Sequence, residues 1–240
     1  FQSGTLDSDV STVYDPSSQK MVIVYEGGAK VATVSGTSIS FGSAASAGFT
    51  RVNKAVYDPS SGTVVVFYRT TGGAGEARVG TVSGTSISFG SAVTFASSVA
   101  SYSKIAAAYD PSSGKIFVAY KDSGDSNKGK ARVGTVSGTS ISFGSTATFE
   151  TAQVEGMTAS YDPNEEAVLL VYDDVTNLYA VRACMATISG TSVSFGSKST
   201  IESGTIYVTM ECEYDTASQK HGLFTASGSA VGRVLTVSGS

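Results

Sequence analysis

Short apolar runs separated by polar, glycine-containing turns recur along the chain, and the third group shows the pattern most clearly. It holds the runs KIAAAYD, GKIFVAYKD and KARVGTVSG and a fourth run that begins TSISFGS. This order predicts a four-stranded antiparallel meander. Within KIFVAY both alternating faces are apolar, with Ile116 and Val118 on one side and Phe117 and Ala119 on the other. Such a strand belongs to a sheet that is covered on both faces, so each sheet requires two neighbours.

The meander recurs five times. A Tyr-Asp dipeptide marks each unit, at spacings of 43, 52, 52 and 53 residues, and the fifteen letters of 77–91 return unchanged at 131–145. A period of this size is typical of a propeller or a solenoid. We therefore assign residues 1–240 to a single repeat domain. Its repeats are centred on Tyr14, Tyr57, Tyr109, Tyr161 and Tyr214.

The turn after each Tyr-Asp has a chemistry of its own. In DPSSG the Asp side chain is suited to accept backbone hydrogen bonds, Pro fixes the next φ, and Gly takes the left-handed exit. These five aspartates are therefore interpreted as structural.

The two ends of the chain favour a ring over a linear stack. The opening letters FQS match the FGS of the other units, and the last unit stops at TVSGS, without a fourth strand. An N-terminal strand that pairs with three C-terminal ones would remove the unpaired sheet edges. The prediction is an all-β, five-bladed β-propeller with four antiparallel strands per blade, closed by the N-terminal strand completing the last blade.

The unit VGTVSGTSISFGS followed by AAYDPSSGKIFVAYKD resembles that of tandem-repeat β-propeller proteins of marine bacteria, viruses and algae. This resemblance covers nearly the whole chain and implies a secreted or surface propeller without an assigned activity. In blade number and symmetry alone, the predicted fold is also similar to the five-bladed tachylectin-type lectins. A likeness at the level of the fold transfers no binding site.

Composition and charge narrow the partners. The net charge is -4, the sequence pI is near 5.0, and no lysine or arginine cluster occurs, which argues against a nucleic-acid or anionic-membrane surface. No apolar run reaches the roughly 18 to 20 residues of a membrane span, so we expect no membrane insertion. His221 is the only histidine, which excludes a multi-histidine metal centre. No cofactor is expected.

Two connections in each repeat vary in length: the one between the second and third strands, and the one that leads to the next repeat. Together they predict the binding face. From the second-strand tyrosine (Thr225 in the fifth repeat) to the next Ser-Gly the distances are 10, 15, 17, 17 and 13 residues, whereas the first hairpin keeps a constant spacing of 11. In a meander the variable connections lie together on one face, and loops carry function more often than the frame does; drift in idle loops remains the alternative. The candidate ligand-binding residues are Arg51, Arg69, Tyr102, Lys104, Asp122, Asp125, Asn127, Asp174, Asn177 and Tyr179.

Several carboxylate groupings invite a chemical interpretation. Asp122, Asp125 and Asn127 supply oxygens that suit calcium, but the other repeats differ at this place, so a hydrated turn is favoured. Three pairs of carboxylates are of the type that a glycosidase needs: Asp173 and Asp174, Glu165 and Glu166, and Glu211 and Glu213. Adjacent residues on a strand point to opposite faces, however, and Glu165 and Glu166 fall on the face of the constant turns. No catalytic residue and no metal ligand is assigned.

The two cysteines leave the redox compartment open. Cys184 falls in the third strand of the fourth repeat and Cys212 in the first strand of the fifth, in sheets predicted to face one another. A disulfide between them and two buried free thiols are both compatible with these positions.

Together these observations predict a noncatalytic, extracellular, secreted or virion-surface module that binds glycans or other surface polymers at several sites on the variable-loop face. One alternative is a structural or adhesive repeat that associates with further repeats or fibre subunits. Another is a glycoside hydrolase with carboxylates near the central channel, which requires two or three acidic groups within about 5 to 9.5 Å in one pocket.

Overall fold

A computed structural model describes residues 10–101, 105–204, 209–226 and 230–237. In these ranges all regular structure is β-strand, which confirms the all-β prediction, and no helix there is long and apolar enough to cross a membrane. The chain divides into two compact units, residues 1–97 with 135–142, and residues 98–134 with 143–240. The assignment of the whole chain to one domain stays a prediction.

The first unit contains the sheets of repeats one and two, and both are antiparallel meanders. In the first sheet the order is β1-β2-β3-β4, with β5 also on β3; in the second it is β10-β8-β7-β6, with β9 also on β8. The strands are β1 (Ser11–Asp15), β2 (Lys20–Tyr25), β3 (Gly28–Ser35), β4 (Ser38–Phe41), β5 (Ala45–Ser46), β6 (Val52–Asp58), β7 (Thr63–Arg69), β8 (Gly75–Ser83), β9 (Ser86–Phe89) and β10 (Val93–Ala96). The predicted fourth strand is thus present, divided into two short segments.

Repeats three and four share one nine-stranded sheet. Its order is β11-β12-β13-β15-β16-β17-β18, with β14 on β13 and β19 on β17. The strands are β11 (Ala106–Asp110), β12 (Lys115–Asp122), β13 (Lys128–Ser137), β14 (Ser140–Phe143), β15 (Ala147–Asp162), β16 (Ala167–Asp174), β17 (Ala180–Ser189), β18 (Ser192–Phe195) and β19 (Ser199–Glu202). β15 joins the two repeats because its first part pairs with β13 and its second part with β16, with register shifts along the way.

The fifth repeat forms a three-stranded sheet in the order β20-β21-β22. These strands are β20 (Thr209–Asp215), β21 (Lys220–Ala226) and β22 (Ala230–Leu235). Among the described residues no fourth strand pairs with β22, and the four sheets do not close on one another through hydrogen bonds. The predicted closing strand falls on residues 1–9, outside the described residues, so the number of blades and the closure are not confirmed.

The predicted turn chemistry is confirmed. In every repeat the Tyr-Asp carboxylate accepts the backbone N–H two residues later; in the first this is Asp15 Oδ1 and Ser17 at 2.9 Å. Gly62 and Gly114 take the left-handed exit with φ of 66°. Gln19, Glu166 and Gln219 adopt the same conformation at the equivalent place, with φ of 56°, 49° and 57°.

Burial agrees with the prediction of doubly covered sheets in the middle repeats only. Every residue of β16 is buried, and β7 and β12 are buried along nearly their whole length. In β21 burial alternates instead, and Phe224 is 63% exposed. Within the second unit one core lies between the strands of repeats three and four, and a second core lies on the other side of β16, against repeat five.

Candidate functional site

The turns between the second and third strands of repeats three and four follow the same backbone path. Each consists of two overlapping β-turns. In repeat three Asp125 N–H donates to Asp122 O (3.2 Å) and Lys128 N–H to Asp125 O (3.1 Å). In repeat four Asn177 N–H donates to Asp174 O (3.4 Å) and Ala180 N–H to Asn177 O at 3.1 Å. The two loops are therefore structurally equivalent although their sequences differ.

β15 runs between these two turns and ties them together. The N–H of Val154 donates to Asn127 O at 3.0 Å, and the N–H of Val175 donates to Gln153 O at 2.9 Å. We call the region formed by residues 122–128, 153–155 and 174–180 the loop end of the nine-stranded sheet. It brings together six of the predicted ligand residues: Asp122, Asp125, Asn127, Asp174, Asn177 and Tyr179.

Ion pairs organise the charges at the loop end. Asp125 contacts Lys128 Nζ at 2.8 Å and Lys130 Nζ at 2.6 Å. Hydrogen bonds from Lys128 and then Lys130 lower the pKa of the Asp125 carboxyl. The buried ammonium of Lys121 pairs with Glu155. Each of these three lysines therefore contacts a carboxylate, and Asp125 is shared by two of them.

Asp174 has a mainly structural role. It is buried, and its Oδ1 accepts the Thr176 hydroxyl at 3.0 Å and the Asn177 N–H at 3.3 Å. The Nε of Arg182 lies 3.0 Å from Asp174 Oδ2, close enough for an ion pair although the N–H is not aligned for a hydrogen bond. Asp122 likewise holds its own turn by accepting the Gly124 N–H. Their carboxylates thus shape the loops.

The tip of the repeat-four turn is both exposed and strained. Leu178 and Tyr179 have φ of 55° and 52°, and they are 76% and 37% exposed. The equivalent Ser126 and Asn127 have φ of 56° and 61°. A left-handed residue that carries a Cβ costs roughly 1–2 kcal/mol, and asparagine tolerates the conformation best. Tyr179 was predicted from the sequence and Leu178 was not, because the sequence does not reveal the conformation of this loop.

The other predicted ligand residues lie elsewhere. Arg51 and Arg69 belong to the first unit, where Arg69 N–H donates to Arg51 O at 3.2 Å, and Arg51 is left-handed with a φ of 46°. Tyr102 and Lys104 lie outside the described residues. No group of three or more His, Cys, Asp or Glu in the described ranges is placed to hold a metal ion.

Cys184 and Cys212 are both buried, and the structure shows no disulfide between them. The side chain of Cys184 packs in the core between repeats three and four, whereas Cys212 packs in the core between repeats four and five. Side chains of successive strand residues point to opposite faces, and Cys184 points away from repeat five. Burial raises the pKa of its thiol to about 11.

His221 forms a buried chain of polar contacts that the sequence analysis missed. Its Nε2 lies 3.0 Å from Asp162 Oδ2, and its Nδ1 lies 3.8 Å from Cys212 Sγ. Because a carboxylate only accepts, Nε2 carries the proton. In repeats one to three a serine hydroxyl donates a hydrogen bond to the corresponding second carboxylate oxygen, as Ser113 does to Asp110 Oδ2 at 2.9 Å. Repeat four has Glu165 at that position, and His221 replaces the serine.

A second missed cluster surrounds Glu150 in the core of repeats three and four. The Tyr172 hydroxyl donates to Glu150 Oε2 at 3.0 Å, and Lys198 Nζ lies 2.9 Å from the same oxygen. Burial would raise the pKa of Glu150, but hydrogen bonds from Lys198, Ala152 N–H and Tyr172 outweigh it, so the pKa is lowered. Tyr172 is completely buried, so this cluster stabilises the sheet and is not open to a ligand.

The carboxylate pairs considered for glycoside hydrolysis do not converge. Asp173 and Asp174 are adjacent on β16, and Glu165 and Glu166 lie in the turn before it, at the opposite end of that strand. A cavity of about 550 Å³ lies between the repeat-four strands of the nine-stranded sheet and β22. Its lining residues are Leu169, Ala183, Cys184, Met185, Gly196, Ser197, Ser199, Ile201, Val234, Leu235, Thr236 and Val237, with no carboxylate among them.

Comparison with known proteins reveals a likeness of fold. No protein-family model and no curated protein matches the chain. AofleA from Arthrobotrys oligospora superposes with a TM-score of 0.64 at 14% identity, over 95% of this chain and 68% of that one. The BP39L lectin from Burkholderia pseudomallei gives 0.68 at 14% identity, over 95% and 66%. The SapL1 lectin, solved with α-methyl fucoside, gives 0.55 at 16% identity, over 93% and 74%.

At identities this low the likeness shows the fold alone. The described part of the chain is all-β and antiparallel, and its fold is similar to that of the BP39L and SapL1 lectins. It spans about two thirds of the length of AofleA and BP39L.

Proposed function

We propose that this chain is a noncatalytic carbohydrate-binding module and that the loop end of the nine-stranded sheet contributes a binding site. The observation that carries the proposal is the exposed tip of the repeat-four turn, where Tyr179 stands beside Asn177 on a hydrogen-bonded frame. An exposed aromatic ring beside fixed polar groups is the usual composition of a sugar site. The likeness in fold to lectins supports the same assignment.

The class of ligand follows from the charges. Lys128 in the loop end and the neighbouring Lys121, Lys130 and Arg182 each contact a carboxylate. The surface therefore offers no concentrated positive potential to an anionic polymer. Because SapL1 was solved with α-methyl fucoside, α-L-fucosides are the first probes to test.

A glycan array followed by calorimetry tests the proposal. Binding of at least one saccharide class, displaced by the free sugar, is the expected result. Absence of binding to every saccharide, with the protein shown to be folded by its far-ultraviolet circular dichroism, would overturn it. A stoichiometry above one sugar per chain is expected if several repeats bind, as repeated loops favour multivalency.

We also propose that a fourth strand completes the fifth sheet, as in a five-bladed closed propeller. β3, β8, β13 and β17 each pair with such a strand, and the cavity beside Val234 and Leu235 lies next to β22. Amide hydrogen exchange tests this. Slow exchange at Thr236, comparable to that at the equivalent Thr187, which pairs with Ser194 of β18, is expected, and fast exchange at Thr236 contradicts it. An extracellular or virion-surface location stays part of the proposal.

A further inference from the structure

The backbone path of the repeat-four turn does not explain why Leu178 and Tyr179 occupy its two left-handed positions. The equivalent turn in repeat three follows the same path with Ser126 and Asn127. Asparagine enters left-handed backbone readily, whereas leucine and tyrosine do so rarely. The loop would therefore form more easily with other residues at these two positions.

Packing does not explain the Leu178 side chain, and it leaves part of the Tyr179 side chain accessible. Leu178 is 76% exposed and Tyr179 is 37% exposed, so Leu178 in particular gains little from burial. The backbone of the turn is held from outside, because Gly204 N–H donates to Leu178 O at 2.8 Å. Residues kept in an unfavourable conformation by their surroundings are concentrated at binding sites.

We infer that Leu178 and Tyr179 form the apolar platform on which a neutral sugar ring packs; this inference rests on the carbohydrate-binding function proposed above. The C–H face of a pyranose matches an aromatic face flanked by an aliphatic side chain. The neighbouring Asn177 carboxamide supplies both a donor and acceptors for sugar hydroxyls. The paired charges around it favour an uncharged ring over a sialic or uronic acid.

The deciding variant replaces Leu178→Asn together with Tyr179→Gly, since Asn-Gly is the preferred pair for two left-handed turn residues. This double variant removes both side chains and relieves the strain. The expected result is a melting temperature that rises by about 2–6 °C and a loss of sugar affinity of at least tenfold. A merely structural role for the two residues predicts no loss of binding in a stabilised protein.

The matched control is Glu166→Gly, which relieves a left-handed φ of 49° in the turn before β16, at the end of that strand opposite the loop end. It relieves the same kind of backbone strain outside the proposed site, so binding is expected to stay within about twofold of the unaltered protein. Binding is measured by saturation-transfer NMR with methyl α-L-fucoside, methyl α-D-mannoside and methyl β-D-galactoside, and with sialic acid as the charged probe.

The outcomes separate this inference from the function on which it rests. If the unaltered protein binds no saccharide at all, the proposed function fails, and the platform fails with it. If it binds a sugar and the Leu178–Tyr179 double variant binds that sugar equally well, only the platform is overturned. Binding of sialic acid alone overturns the preference for neutral rings. The unaltered protein could instead self-associate, and the double variant could abolish this without changing sugar binding. That result would mean that the turn contacts a second copy of the chain, and it would overturn the inference.

Discussion

Replacing Gly144 with alanine tests how closely consecutive repeats pack in the second unit. A Cβ at Gly144 would lie 1.9 Å from the carbonyl oxygen of Thr191 and 2.8 Å from its carbonyl carbon. Thr191 lies in the turn between β17 and β18, so backbone occupies the space that the methyl group needs. The φ of Gly144 is not left-handed, so alanine is compatible with the local conformation and the obstacle is purely steric.

The size of the effect follows from this overlap. The two backbones must separate by about 1 Å, and such overpacking costs roughly 1–3 kcal/mol. Alanine also makes the unfolded chain less flexible, which raises the free energy of unfolding by about 0.4–1 kcal/mol. A net loss of about 1–2 kcal/mol is expected, or a fall in melting temperature of roughly 2–8 °C for a protein of this size.

Urea unfolding followed by circular dichroism measures the change, with Gly222→Ala as the control. Gly222 lies in β21 of the same unit, and the nearest atom to its Cβ position is 3.6 Å away, an ordinary contact. This control is expected to unfold at the same urea concentration as the original protein or slightly above it. Equal midpoints for Gly144→Ala and Gly222→Ala would refute the steric argument.

Three further changes test the turns and the buried polar clusters. Glu166→Gly is expected to raise the free energy of unfolding by about 1 kcal/mol, because glycine relieves the left-handed φ of 49°; an unchanged urea midpoint would contradict this. His221→Leu leaves a buried carboxylate oxygen of Asp162 unpaired and is expected to lower the free energy of unfolding by about 1–3 kcal/mol. Adding Glu165→Ser, which restores the hydroxyl of the other repeats, should recover part of this loss. Additive effects in a double-mutant cycle would argue against the compensation. Because the pKa of Glu150 is lowered beside Lys198, the Glu150 carboxylate stabilises the folded state fully above the ordinary value of 4.5, and this stabilisation is lost as the pH falls through the lower pKa of the folded state. Glu150→Gln should therefore flatten the decline in stability at acid pH measured by urea titration. A decline parallel to that of the original protein would contradict this.

Much of the local structure could be predicted because each piece depends on neighbouring residues. The Asp-Pro-Ser-Ser-Gly turns require only a carboxylate, a fixed φ and a left-handed exit within a few residues. The meander follows from alternating apolar runs, and the doubly apolar KIFVAY is buried along nearly its whole length in β12. Even the grouping of Asp125, Asn127 and Asn177 at one end follows from counting strands.

Other features could not be predicted because they depend on which residues meet across the fold. Cys184 and Cys212 suggested a bridge by their positions in neighbouring sheets, but the strand register directs Cys184 toward the opposite core. Glu165 looked like half of a carboxylate pair, whereas its effect is to leave Asp162 dependent on His221. The tight contact at Gly144 arises from a turn that lies far along the chain.

The amino-acid sequence by itself determined the repeats, the strand and turn order and the all-β class, since period, alternation and turn residues act over short distances. Only the tertiary structure decided which side chains are buried, which carboxylates are already paired, and that Leu178 and Tyr179 stand exposed in left-handed backbone. These properties depend on contacts between residues distant in the chain, and letters that recur in five repeats do not specify them.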